Sequence, residues 1–267
     1  MDSRPVLFID SGIGGIPYCL NFMKKNPNET IYYLADNKNF PYGPKGKEEL
    51  TSILIDLMEK LLDKFKPKIV ILACNTATIA ALSSLRENFP HLPLVGTIPA
   101  VRPAAQACNN GKVGVLGTER TIEEIHNLNL TDETCEITGI AAPELVDFIE
   151  LQLDDSNEDE KTETVKKYIN IFRAQKVDTL VLGCTHFLFL LEQFRREAAP
   201  YFEVFDSLAG ITKRIEYLLD ENNGLLRAGR DSAPQYKLLL TGAGTTDLFW
   251  EKRAKKIGFN IVLLNEL

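Results

Sequence analysis

Two cysteines of this 267-residue chain lie in near-matching surroundings. Cys74 closes the run Lys68-Ile-Val-Ile-Leu-Ala-Cys74-Asn-Thr76, and Cys184 closes Val177-Asp-Thr-Leu-Val-Leu-Gly-Cys184-Thr-His186. Each thiol follows a buried-strand pattern and precedes a helical one. There the helix dipole and free backbone N–H groups favour a thiolate. One such cysteine would read as a small buried hydrophobe. Its recurrence points to chemistry, because two thiols can take a proton from one face of a carbon and return one to the other. Asn75, Thr76 and Thr185 add donors suited to a carboxylate, and His186 could act as base or proton relay for Cys184. A Cys-x-His pair without further ligands gives little support for a metal.

Three other segments carry polar groups at strand ends. Asp10-Ser11-Gly12-Ile13-Gly14-Gly15 follows the run Val6–Ile9. Its glycines let backbone approach a ligand, but the spacing fits neither GxGxxG nor a P-loop. An acid at this point suits an ammonium group or a thiol better than a phosphate. Asp36-Asn37-Lys38-Asn39-Phe40-Pro41-Tyr42-Gly43-Pro44 holds more chemistry than a plain turn needs. Gly117-Thr118-Glu-Arg-Thr121 could bind a second carboxylate, or equally cap a helix.

Strands and helices must hold these groups. Short apolar runs at Val6–Ile9, Ile31–Leu34, Ile69–Ala73, Leu94–Gly96, Val113–Leu116, Thr179–Gly183, Val204–Phe205, Lys237–Thr241 and Asn260–Leu264 alternate with helical patterns. Between Gly46 and Lys66, Leu50, Ile53, Leu54, Leu57, Met58, Leu61, Leu62 and Phe65 form one stripe, ended by Pro67. The expected class is α/β, with mostly parallel sheets in two pseudo-symmetric domains and the active site in the cleft between them. Residues 1–97 with 208–267 would make one domain and 98–207 the other, divided near Pro99 and Pro103. Besides the two cysteine runs, Val6–Ser11 is faintly echoed by Phe202–Ser207. The acidic stretch Asp154–Glu160 reads as a solvated loop leading into a helix.

Thirty-seven acidic residues against thirty basic ones give a net charge of −7, which disfavours general binding to nucleic acid. Five widely spaced cysteines without a CxxC pair argue against both a disulfide framework and structural zinc. No apolar run is long enough to span a bilayer, and none has signal-peptide form. The expected location is the cytoplasm, without membrane partners.

Together, Asp10–Gly15, Asp36 with Pro41–Pro44, Ala73–Thr76, Thr118 with Thr121, and Gly183–His186 resemble the glutamate racemase family, in order and over nearly the whole chain. The resemblance implies interconversion of L- and D-glutamate for peptidoglycan synthesis, with no pyridoxal phosphate, metal or other cofactor. It implies Cys74 and Cys184 as the bases, assisted by Asp10 and His186. Ser11, Asn75, Thr76, Thr118, Thr121 and Thr185 would bind glutamate, with Tyr42 and Gly43 lining the site and Glu150 matching a family acid near the second cysteine. Leu188, where the family usually has proline, and Asn37-Lys38-Asn39 depart from its pattern. Only five residues precede the first strand, so no cell-wall precursor is expected as an activator. A homodimer is an open arrangement. An aspartate racemase, a silent racemase fold acting on DNA gyrase, and a thiol redox protein are the competing readings.

Overall fold

The structure, a computed structural model, describes residues 2–125, 135–199, 201–220, 227–229, 233–242 and 248–264. The chain divides into two compact units, residues 1–97 with 208–267, and residues 98–207.

In the first unit, β1 (Val6–Asp10), β2 (Ile31–Ala35) and β3 (Ile69–Leu72) are buried at every position. A strand covered on both faces needs an uninterrupted apolar run, and these segments supply it. With β4 (Leu94–Gly96), β9 (Tyr236–Leu240) and β10 (Asn260–Leu263) they form a six-stranded parallel sheet in the order β10-β9-β2-β1-β3-β4. Helix α1 (Ile16–Lys25) follows β1. Helix α2 (Lys47–Phe65) buries Leu50, Leu54, Leu57, Met58 and Leu61. Glu48 and Glu49 in its first turn and Lys64 in its last complement its dipole. Lys66 then turns left-handed, at φ 48°, just before Pro67. Helix α3 (Asn75–Asn88) packs beside α2, while α9 (Leu208–Asp220) packs on α1 and α10 (Leu248–Ile257) on β10.

The second unit has β5 (Lys112–Gly117), β6 (Glu136–Ala141), β7 (Thr179–Leu182) and β8 (Glu203–Phe205) in the parallel order β6-β5-β7-β8. Around them run α4 (Val101–Ala107), α5 (Glu119–Glu124), α6 (Pro143–Leu151), α7 (Glu158–Ala174) and α8 (Leu191–Ala198). The acidic stretch enters α7 through a capping box. Asn157 Oδ1 accepts from the Glu160 N–H, and the Glu160 carboxylate accepts from the Asn157 N–H.

The order β2-β1-β3-β4 recurs as β6-β5-β7-β8, so β3 and β7, which lead to the two cysteines, hold matching places. The fainter echo is corrected. The counterpart of β1 is β5, inside its sheet, whereas Phe202–Ser207 contains edge strand β8 with Glu203 exposed. Strand β6 was not anticipated. Its residues are exposed or half-buried throughout, so no apolar run marks it.

Candidate active site

In the first unit the reactive groups gather at the carboxyl ends of three adjacent strands. Asp10 is in register with Ala35, Ile9 with Leu72, and the Ala73 N–H donates to Ile9 O at 2.8 Å. Asp10, Asp36 and Cys74 therefore leave the sheet along one edge. Asp10 is fully buried, and its Oδ1 accepts from the Ser11 hydroxyl and the Gly12 N–H, each at 3.3 Å. Tyr33, on β2, clamps the glycine turn. Its hydroxyl donates to Gly12 O at 2.8 Å and accepts from the Gly15 N–H at 3.1 Å. A Cβ on Gly15 would lie 2.6 Å from Ala73 Cβ and 2.9 Å from Ala73 O. Only glycine lets the turn rest on the residue that introduces Cys74.

Cys74 is buried and extended (φ −141°, ψ 122°), and it caps the 14-residue helix α3, whose first residues are Asn75 and Thr76. The helix base is tied to its strand because Leu72 O accepts from the hydroxyls of Thr78 at 3.3 Å and Thr97 at 3.2 Å. The sulfur thus sits where N–H groups and helix dipole favour an anion.

The loop after β2 is organised by one carboxylate. Asp36, fully buried, accepts from the Tyr42 hydroxyl at 2.7 Å, the Thr241 hydroxyl at 2.6 Å and Asn39 Nδ2 at 3.0 and 3.1 Å. Burial, and the negative charges of Asp36, Cys74 and Asp10, push the Tyr42 phenol well above the ordinary tyrosine value. Gly43 beside it is half-buried, and a Cβ there would meet nothing within 4 Å.

In the second unit Cys184 is again buried and extended (φ −131°, ψ 138°), but it leads into a 3-10 helix, Thr185–Leu190, rather than an α-helix. This corrects the expectation that its context repeats that of Cys74 in full. Its sulfur lies 3.7 Å from His186 Nδ1, and His186 Nε2 lies 2.8 Å from Glu150 Oε1 on α6. Burial alone would lower the imidazole, but the sulfur and the carboxylate hold it well above its ordinary value. The assembly is a Cys–His–Glu chain with Thr185 buried beside it. Thr118 caps α5. Its Oγ1 accepts from the Thr121 N–H at 3.4 Å, and the two hydroxyls are 3.0 Å apart. The capping role is therefore real, and half-buried Thr118 adds its polar atom at the end of β5.

The first unit thus brings together Asp10, Ser11, Tyr42, Cys74, Asn75 and Thr76, and the second Cys184, Thr185, His186 and Glu150. Sequence reasoning missed Tyr33 and Thr241 and gave Asp36 no role of its own. Tyr33 sits in an apolar strand with nothing to mark its hydroxyl, and Thr241 lies 205 residues from Asp36. Among the described residues no three His, Cys, Asp or Glu side chains form a metal-binding group, and no helix is long and apolar enough to cross a membrane.

Residues 22–213 match the model of the Asp/Glu/Hydantoin racemase family. A glutamate racemase of Clostridium perfringens is 33% identical over 84% of this chain and 86% of its own. The crystal structure of Escherichia coli glutamate racemase, in complex with L-glutamate and the activator UDP-MurNAc-ala, superposes with a TM-score of 0.82. It is 27% identical and the match covers 97% of both chains. That of the Francisella tularensis enzyme with D-glutamate gives 0.78 at 26% identity over the full length of both.

Proposed function

The chain belongs to the Asp/Glu/Hydantoin racemase family, and from that premise we propose that it interconverts L- and D-glutamate, with Cys74 and Cys184 as the two bases. The observation that carries the mechanism is the duplicated strand-to-cysteine junction, each thiol buried and each provided with a group that favours its anion. A thiolate takes the Cα proton and becomes a thiol. The carbanion then receives a proton on its opposite face from the second thiol, which becomes the thiolate. No net proton is consumed, and the next turnover can run in the reverse sense.

The carbanion beside the substrate carboxylate needs electrostatic support. Asn75 and Thr76, at the start of α3, and Thr185 offer donors for that carboxylate. Ser11, Thr118 and Thr121 offer hydroxyls for the rest of the substrate, and Asp10 suits its ammonium group. Tyr42 and Gly43 line the site. His186, held by Glu150, stabilises the thiolate of Cys184.

Glutamate rather than aspartate is assigned because the curated relative and the two solved structures are glutamate racemases. We place the reaction in the cytoplasm, without a cofactor, as the source of D-glutamate for peptidoglycan. A homodimer is the assembly to be tested by light scattering.

Purified protein incubated with L-glutamate alone should lose the optical rotation of the solution to zero, and dialysis against a chelator should not change the rate. Retained rotation would refute the activity. A kcat/KM for aspartate equal to or above that for glutamate would refute the substrate, and a rate restored only by metal or pyridoxal phosphate would refute cofactor independence.

A further inference from the structure

The hydrogen bonds around Asp36 have a direction. A carboxylate can only accept, so the proton of each hydroxyl bonded to it is committed. Tyr42 therefore donates to Asp36 Oδ2, and its phenolic oxygen has only acceptor lone pairs left for any other group. Tyr42 belongs to the same buried cluster as Cys74, so its anchoring bears on the packing beside that sulfur.

Beside its neighbour Asn39, Asp36 is held by a residue from the far end of the chain. Thr241 follows β9, which pairs with β2 in register Ala35↔Leu240. This register sets Thr241 beside Asp36, and the Thr241 N–H donates to Ala35 O at 3.4 Å. Its hydroxyl donates to Asp36 Oδ1 at 2.6 Å and accepts from the Lys38 N–H at 3.2 Å. Next to it, the Gly242 N–H donates to Asn37 Oδ1 at 2.8 Å. The threonine is itself buried, so water does not compete for these bonds. Asp36 Oδ1 thus accepts from Thr241 and Oδ2 from Tyr42, while Asn39 Nδ2 donates to both.

We propose that Thr241 is a positioning residue for the racemase reaction: by holding Asp36 it fixes the Tyr42 hydroxyl on Asp36, and with it the Tyr42–Gly43 turn that lines the site. This rests on the glutamate racemase reading. A phenol anchored on Asp36 holds that turn in one position, whereas a phenol whose acceptor can shift leaves the turn free to move. Asp36 and Thr241 touch no reacting atom and act through Tyr42 alone.

The test is a double-mutant cycle. Thr241→Val keeps the side-chain shape and removes the hydroxyl. It should lower kcat/KM for L-glutamate roughly tenfold, the scale of one hydrogen bond to a charged group. Thr241→Ser should restore most of the loss. In a Tyr42→Phe background, which has no phenolic hydroxyl to anchor, Thr241→Val should cost less than about twofold. Equal losses in both backgrounds would assign Thr241 to general stability and overturn the proposal. A second readout is independent of activity. With tyrosine labelled at Cζ, the Tyr42 resonance, identified by its absence in Tyr42→Phe, should move in Thr241→Val while the other tyrosines stay. An unmoved Tyr42 signal would overturn the proposal even in an active enzyme. A moved signal in a wild-type protein that does not racemise glutamate would refute the glutamate reading and leave the Thr241–Asp36–Tyr42 relay standing.

Discussion

The two cysteine sites share a strand junction and differ in what stands behind the sulfur. Cys74 relies on backbone, at the head of a 14-residue α-helix, with an aspartate-bearing glycine turn packed against the preceding alanine. Cys184 relies on side chains, since its 3-10 helix offers less dipole and a buried histidine–glutamate pair stands in its place. One topology has therefore solved the same electrostatic problem twice by different means. At the 3-10 turn the His186 ring reaches the Cys184 sulfur, with 3.7 Å between Sγ and Nδ1. The α-helix at Cys74 carries its later residues away from the sulfur, and Asn75 and Thr76 form its first turn.

Removing either thiol breaks the comparison most severely. Cys74→Ala and Cys184→Ala should each lower racemisation by about 10²–10⁴-fold, the usual range for a proton-transfer group. In deuterated water each should still exchange the Cα proton of one enantiomer only, and the two variants should select opposite enantiomers. Labelling of both enantiomers by one variant would end the two-base account.

Glu150→Gln tests the side-chain solution alone. It should lower kcat about tenfold, by loosening the imidazolium beside Cys184, and an NMR titration should find the His186 value displaced downward. The folded-state value of His186 lies above the unfolded one. Its stabilising contribution is therefore complete below about pH 6.5 and is lost as the pH rises through the folded value. The Tm difference between wild type and Glu150→Gln should be widest near pH 6 and narrow above it. A difference constant with pH would reduce Glu150 to packing.

The backbone solution is probed by adding one methyl group. At Gly15 the new Cβ would come within 2.6 Å of Ala73 Cβ, whereas at Gly183, just before the second cysteine, its nearest atom would be Leu116 O at 3.1 Å. Gly15→Ala should cost about 1–3 kcal/mol of stability, as overpacking does, and Gly183→Ala less. Denaturant midpoints would show this ranking, and the reverse order would place the tighter junction in the second unit. Thr118→Ala should have the smallest effect, about 1 kcal/mol for the lost cap. A fall in glutamate affinity beyond that would mark its hydroxyl as a substrate contact.

Much of this was legible in the sequence because β-branched apolar runs ending in Cys, Asp or Gly report both the buried strands and the groups at their ends. Asp10, Cys74, Asn75, Cys184 and His186 are of that kind. Strand β6 escaped because Glu136-Ile-Thr-Gly-Ile-Ala141 is an edge strand without an apolar signature. The 3-10 turn escaped because Thr185–Leu190 has the apolar content of a helix, and only coordinates reveal its winding. The echo in Phe202–Ser207 misled because a short apolar run does not tell an edge from a centre. Thr241 was invisible for a different reason. Its role depends on a parallel pairing across 205 residues, and single-sequence periodicity carries no long-range register.

That pairing has a consequence for how the protein is made. The sheet of the first unit is complete only when β9 covers the outer edge of β2, and the chain reaches β9 only after the whole second unit has left the ribosome. At ordinary synthesis rates the nascent β2 waits for an interval on the order of ten seconds, with its backbone donors and acceptors unpaired along that edge. The second unit is contiguous in sequence and can fold as it emerges. The first is finished last, although its first strand is translated first. Newly made chains therefore pass through a stage in which a buried-type apolar strand has one edge still unpaired.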